Sequence, residues 1–170
     1  MNNKAQLFTL DLLLALVPLT LVLGMSATAI GGVVTQIQEY VYFYSMQRQV
    51  SDAADVLIKT PGVPPDWNST IAPVTVGLAK YNSTEDRIYS HILDSEKIGA
   101  MNSDYIKQLL KGYRYFNLSI QSINESVVFS KVLSSGPKAS VSNIVVVRRN
   151  AFLSNVTNST EVSITLEAGK

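Results

Sequence analysis

From Leu12 to Val34 the chain reads LLLALVPLTLVLGMSATAIGGVV, an unbroken apolar run. About 20 such residues let a helix cross the hydrocarbon core of a bilayer, and the apolar cores of cleaved secretory signals are shorter. After Val34 the pattern thins but keeps a helical period. Ile37, Val41, Tyr44, Val50, Ala53, Ala54, Leu57 and Ile58 recur at near-helical spacing, with Gln, Arg and Asp between them. No glycine or proline interrupts Val33 to Thr60, and Pro61-Gly62 ends the pattern. The reading is one long helix within 6–60, hydrophobic over 12–34 and amphipathic over 35–60; about 45–50 helical residues would be about 70 Å long. Beyond it the period shortens. Ala72–Lys80, Arg114–Ile123, Val127–Val132, Ala139–Phe152 and Glu161–Glu167 alternate as strands, Ile144 to Val147 most strongly. Ser95–Met101 and Ser103–Lys111 read as short helices, the second starting at Ser103-Asp104. Thr84–His91 fits neither period. The expected fold class is α+β: a long N-terminal hydrophobic helix, transmembrane or filament core, followed by a β-rich globular head over 61–170. Its four or five strands are mostly antiparallel, and the distal half of the helix covers one face of the sheet. Trp67, in a proline-rich loop, is expected as a buried anchor of the head.

Composition narrows the chemistry. The 170 residues carry 14 basic and 13 acidic side chains, one histidine and no cysteine. Charged residues are 16%, against about 25% in a typical soluble domain. The deficit is local, because no charge lies between Asp11 and Glu39. A net charge of +1 lacks the basic surplus that displaces counterions from nucleic acid, so no nucleic-acid partner is expected. Without cysteine there are no disulfides, thiolate nucleophiles or Cys-based zinc and iron–sulfur sites. No HExxH, phosphate-binding loop or dinucleotide glycine motif occurs. Ser135 and Lys138 have the spacing of a Ser–Lys nucleophile, but Gly136-Pro137 makes a turn where a helix is required. His91 reads as a surface or structural residue, and Arg148-Arg149 as an edge or head–head salt-bridge site. The reading is non-enzymatic, with no catalytic, cofactor-binding or metal-binding residues.

Six triplets fit N-x-[ST]: they begin at Asn68, Asn82, Asn117, Asn124, Asn155 and Asn158. Eleven Asn with 30 Ser plus Thr would produce about two by chance. The excess points to N-linked glycans, which are bulky and project into solvent. The head is therefore expected outside the cell and the N-terminus, with Lys4, in the cytoplasm. Within the apolar run, Pro18 removes a backbone donor and is expected to kink or loosen the helix. Gly24, Thr28 and Gly32 recur every four residues, a spacing that lets helix backbones approach closely.

Lys4-Ala5-Gln6-Leu7-Phe8-Thr9-Leu10-Asp11-Leu12 resembles the class III signal of type IV prepilins, a short basic leader and small residue before an apolar helix with one early acid. The layout of a long helix with a mid-helix loosening and a β-rich head is similar as well. Several head segments also resemble archaeal pilin-like proteins: Pro61-Gly62-Val63-Pro64-Pro65-Asp66-Trp67, Gly77-Leu78-Ala79, Glu96-Lys97-Ile98 and Tyr105 to Leu110. The resemblance implies a leader over 1–5 that a membrane prepilin peptidase removes between Ala5 and Gln6. An assembly ATPase and platform protein then extract the membrane-anchored subunit into a helical filament of identical subunits. The filament lies on the cell surface and serves adhesion or surface contact. Asp11 takes the role of the family's acid, pairing with a neighbour's new N-terminal amine. One departure is visible: cleavage after Ala5 makes Asp11 the sixth residue, where the fifth is typical, and cleavage after Gln6 would restore the fifth. The alternative is a single-pass glycosylated surface protein that binds a partner through its head without polymerising.

Overall fold

The structure is a computed structural model. It describes residues 3–68, 70–123, 129–154 and 159–170, with side chains from Asp11 onward. The chain divides into two compact units, 1–44 and 45–170. Helix α1 (Asn3–Lys59) supplies the first unit and contributes its last 15 residues to the second. The expected α+β class holds: a long apolar helix is followed by a β-rich head.

The head carries strands β1 (Gly62–Val63), β2 (Thr75–Val76), β3 (Ala79–Asn82), β4 (Arg87–Asp94), β5 (Tyr115–Ser122), β6 (Ser130–Ser135), β7 (Ile144–Ser154) and β8 (Ser159–Gly169). Two short helices, α2 (Ser95–Ala100) and α3 (Ser103–Leu109), lie between β4 and β5. β1 and β2 form a small ladder. The other six strands make one sheet in the order β3-β4-β7-β8-β5-β6. Every neighbouring pair is antiparallel except β4 with β7, which run parallel from Ile92–Phe152 to Asp94–Ser154.

The core forms where the two periodicities meet. On α1, Met46, Val50, Ala53, Ala54, Leu57 and Ile58 are buried, a stripe at helical spacing. On β5, Phe116, Leu118 and Ile120 are buried while Asn117, Ser119 and Gln121 face the other way. With Val145, Val147, Ala151 and Leu153 of β7 and Val162, Ile164, Leu166 and Ala168 of β8, these residues form one hydrophobic cluster. The last four turns of α1 thus cover one face of the sheet, as the pattern predicts.

Several local expectations are corrected. Ala72–Lys80 is two strands, not one, because the N–H groups of Leu78 and Ala79 are committed elsewhere. They donate to Leu57 O (2.8 Å) and Thr60 O (3.0 Å), two of the open carbonyls at the end of α1. Thr84–His91 turns out to hold most of β4. Its alternation is lost because the register against β3 jumps, from Leu93 opposite Ala79 to Tyr89 opposite Lys80. His91 sits in that bulge with φ +66°. Helix α3 is capped by Asn102, whose Oδ1 accepts from Asp104 N and Tyr105 N, rather than starting on Ser103-Asp104 alone. Val127 and Val128, expected to begin a strand, lie outside the described residues; β6 runs from Ser130.

Candidate functional site

Two features of the chain carry functional weight: the apolar stretch of α1 and the joint where α1 enters the head. From Asp11 to Ser45 every residue is exposed, including Leu12, Leu13, Leu14, Leu23, Met25 and Ile30 at 60% or more. The helix from Asp11 onward is long and apolar enough to span a membrane. The hydroxyls within its apolar stretch bond to the helix's own carbonyls. Thr20 donates to Val17 O, Ser26 to Val22 O, Thr28 to Met25 O and Thr35 to Gly31 O, at 2.8–3.0 Å. A hydroxyl with its own helix as partner is cheap to carry into an apolar medium. The helix runs unbroken through Pro18. Gly24, Gly31 and Gly32 have nothing within 4 Å of where a Cβ would stand. Their smallness therefore answers no packing demand inside the chain. Asp11 is exposed and lies two turns inside α1, not in its first turn, so the helix dipole gives no reason for an acid there. The side chains of Ala5 and Gln6 lie outside the described residues.

The joint brings together segments far apart in sequence. Trp67 is buried, as expected of an anchor, and its Nε1–H lies 2.8 Å from Pro61 O and 2.9 Å from Gly77 O. Its ring meets Tyr105 edge-on at 5.9 Å. Lys97, only 2% exposed, donates its three ammonium hydrogens to Pro61 O (2.9 Å), Pro65 O (2.6 Å) and Ala79 O (3.1 Å). Burial pushes this ammonium below the ordinary 10.5; Asp94 and Asp66 pull the other way. A Cβ on Gly77 would collide with the carbonyl and hydroxyl of Thr60. Thus Pro61–Trp67, Gly77–Ala79, Glu96–Ile98 and the start of the Tyr105–Leu110 segment close on the end of α1. Lys97 was not legible as special, because a lysine on a short six-residue helix reads as a solvated face.

The arginine pair lies where β7 is paired with β8 alone, because pairing with β4 begins only at Phe152, so the expected edge position is found there. Arg149 points to the helix-covered face, where its Nε lies 2.9 Å from Asp55 Oδ1 and its Nη2 donates to Ser51 Oγ at 2.8 Å. Asp55 also takes Lys59 at 2.7 Å; these two hydrogen bonds, Lys59 first, hold its carboxyl below 3.8. Lys138 lies 3.3 Å from Glu167 Oε2, so it has a carboxylate partner. Among the described residues no group of three His, Cys, Asp or Glu could hold a metal ion.

Of the sequons, Asn68 and Asn82 sit in loop or strand-end positions and Asn117 is the third residue of β5, while Asn124, Asn155 and Asn158 lie outside the described residues. Fold and surface together define the chain's class as an α+β protein with, among the described residues, one N-terminal helix long and apolar enough to span a membrane. Comparison with protein families, curated proteins and solved structures found no match.

Proposed function

We propose that this chain is the structural subunit of an archaeal type IV pilus-like surface filament that polymerises through its N-terminal helix. The observation that carries the reading is the apolar stretch of α1, exposed along its length and notched by glycines that no neighbour in the chain requires. A bilayer accepts such a helix, and so does a bundle of identical helices packed through small residues. Asp11 supports the second home. A carboxylate at the head of an apolar helix is costly in an apolar surrounding unless paired, and the new N-terminal amine of a neighbouring subunit is a fitting partner. In this reading a prepilin peptidase cleaves between Ala5 and Gln6. The ATPase and platform machinery then moves the subunit from the membrane into the filament, and glycosylated heads form the outer surface. The chain works by assembly and display, not catalysis.

The test is mass spectrometry of the native protein's N-terminus, combined with electron microscopy of the cell surface. A mature chain starting at Gln6 and recovered from sheared filaments is the expected result. An intact Met1 on a protein confined to the membrane fraction would overturn it in favour of a permanently anchored surface protein.

A further inference from the structure

Asp11 and Glu39 bound the apolar part of α1, and no charged residue lies between them. Because α1 is one unbroken helix, these two residues stand about 42 Å apart along its axis. A bilayer measures about 40–45 Å across with its headgroups and about 30 Å across its hydrocarbon. The charge-free segment therefore matches the full bilayer, with one carboxylate at each headgroup layer. Centred in this way, the hydrocarbon takes in about residues 15–35. The side chains agree with that seat. Thr20, Ser26, Thr28 and Thr35 fall inside it, and each donates to a carbonyl of its own helix. The amides of Gln36 and Gln38 fall outside it. Tyr40, Tyr42, Phe43 and Tyr44 follow, with exposures from 43% at Phe43 to 75% at Tyr40. At about 100° per residue they are spread around the helix axis, and Val41 fills the widest gap. A protein neighbour meets one side of a helix, whereas a bilayer surface surrounds it. Tyrosine, with an apolar ring and a polar hydroxyl, suits that surface. Helix side chains lean toward the N-terminus, here the bilayer side, so the rings reach back toward the headgroups. Met46, two residues further on, is already buried in the core of the head, so the collar is the last part of α1 open to lipid.

We infer that α1 is seated in a bilayer by two fixed ends, Asp11 in the headgroup layer of one leaflet and an aromatic collar at Tyr40–Tyr44 in that of the other. The partner of the collar is the lipid–water interface, not a second protein. Seated so, Asp11 keeps its hydration while the subunit waits in the membrane, and it needs a paired amine only on leaving. The inference rests on the membrane-anchored state of the proposed function, but not on polymerisation.

Spin-label depth measurement on the full chain in phosphatidylcholine vesicles tests it. The sequence has no cysteine, so each single substitution gives one labelled site. Collision with oxygen, which concentrates in hydrocarbon, is compared with collision with a water-soluble nickel chelate. Labels at Val22→Cys and Ala29→Cys are expected in hydrocarbon and a label at Arg48→Cys in water. Labels at Asp11→Cys, Tyr40→Cys and Tyr44→Cys are expected between the two. Tyr40→Ser combined with Tyr44→Ser changes only exposed positions. This pair should move a label at Gln38→Cys outward, read as a gain in nickel collision, whereas Tyr40→Trp with Tyr44→Trp should leave it in place. An unmoved label in the serine pair overturns the collar's role. Collar labels as open to nickel as Arg48→Cys, with Val22→Cys in hydrocarbon, overturn the inference and leave the anchor standing. If those same collar sites become buried only in sheared filaments, the collar belongs to a neighbouring subunit instead. A label at Val22→Cys in water removes the anchored state and the collar with it.

Discussion

Lys97 shows how much one side chain does in this head. Three carbonyls converge on its ammonium, and all three belong to the segment leaving α1 or to the strand beside it. Lys97→Met keeps the apolar stem and removes every donor, leaving Pro61 O with Trp67 alone and Pro65 O and Ala79 O without Lys97. The expected loss is about 3 kcal/mol, read as a lower denaturation midpoint of the detergent-solubilised chain. The pH dependence is a sharper signature. Because the folded value lies below 10.5, the unfolded chain binds more protons between the two values, and stability contributed by this group rises with pH across that window. Stability curves for wild type and Lys97→Met should therefore separate as pH rises through that window; parallel curves across it would show that Lys97 is not titrating from a buried site. Asp55 gives the acid-side counterpart. Its carboxyl is held below 3.8, so its contribution is present above that value and is lost as pH falls through the folded value. Asp55→Asn should flatten the acid limb of the stability curve and leave the neutral-to-alkaline slope intact, measured by thermal melts below pH 5.

At the scale of elements, the decisive contact is between the C-terminus of α1 and the β2–β3 connection. The helix leaves its terminal carbonyls open, and Leu78 and Ala79 close two of them with backbone N–H groups. That approach is possible only because residue 77 has no Cβ. Gly77→Ala should cost about 3 kcal/mol through overpacking against Thr60, visible as a lowered melting temperature of the head. An unchanged melt would mean the connection can shift away from the helix end. The elements differ in how openly the chain announces them. β5 shows its alternation because one face of it is uniformly core, with Phe116, Leu118 and Ile120 buried. β4 hides its nature because its register against β3 jumps between Tyr89 and Leu93, while its last three residues also pair parallel with β7. No single period describes a strand whose register shifts midway and whose end gains a second partner.

For the molecule as a whole, the contrast between its two units is the basis of the proposed assembly. Residues 45–170 bury a core of their own, whereas residues Asp11 to Tyr44 bury nothing. A helix in that state needs an apolar surrounding, first lipid and then neighbouring subunits in the proposed filament. Asp11→Ala should leave membrane insertion, expression and head modification unchanged. It should reduce sheared filament by about tenfold, the equivalent of roughly 1.4 kcal/mol from a lost charge pair. Normal filament yield from the variant, quantified by immunoblot of the sheared fraction, would remove Asp11 from the assembly step.

What was readable in the residues alone is what depends on neighbours along the chain. The apolar run from Leu12 to Val34, its amphipathic continuation to Thr60, the stop at Pro61-Gly62 and the alternation of β5, β7 and β8 all express a local period. So do the six sequons, since a triplet is visible without a fold. Folding had to decide what depends on residues distant in sequence. It placed Lys97 under the end of α1, turned Arg149 onto Asp55, and inserted β7 between β4 and β8. The reason is physical: burial, ion pairing and register are set by which surfaces meet across the core, and a one-dimensional period carries no record of that meeting.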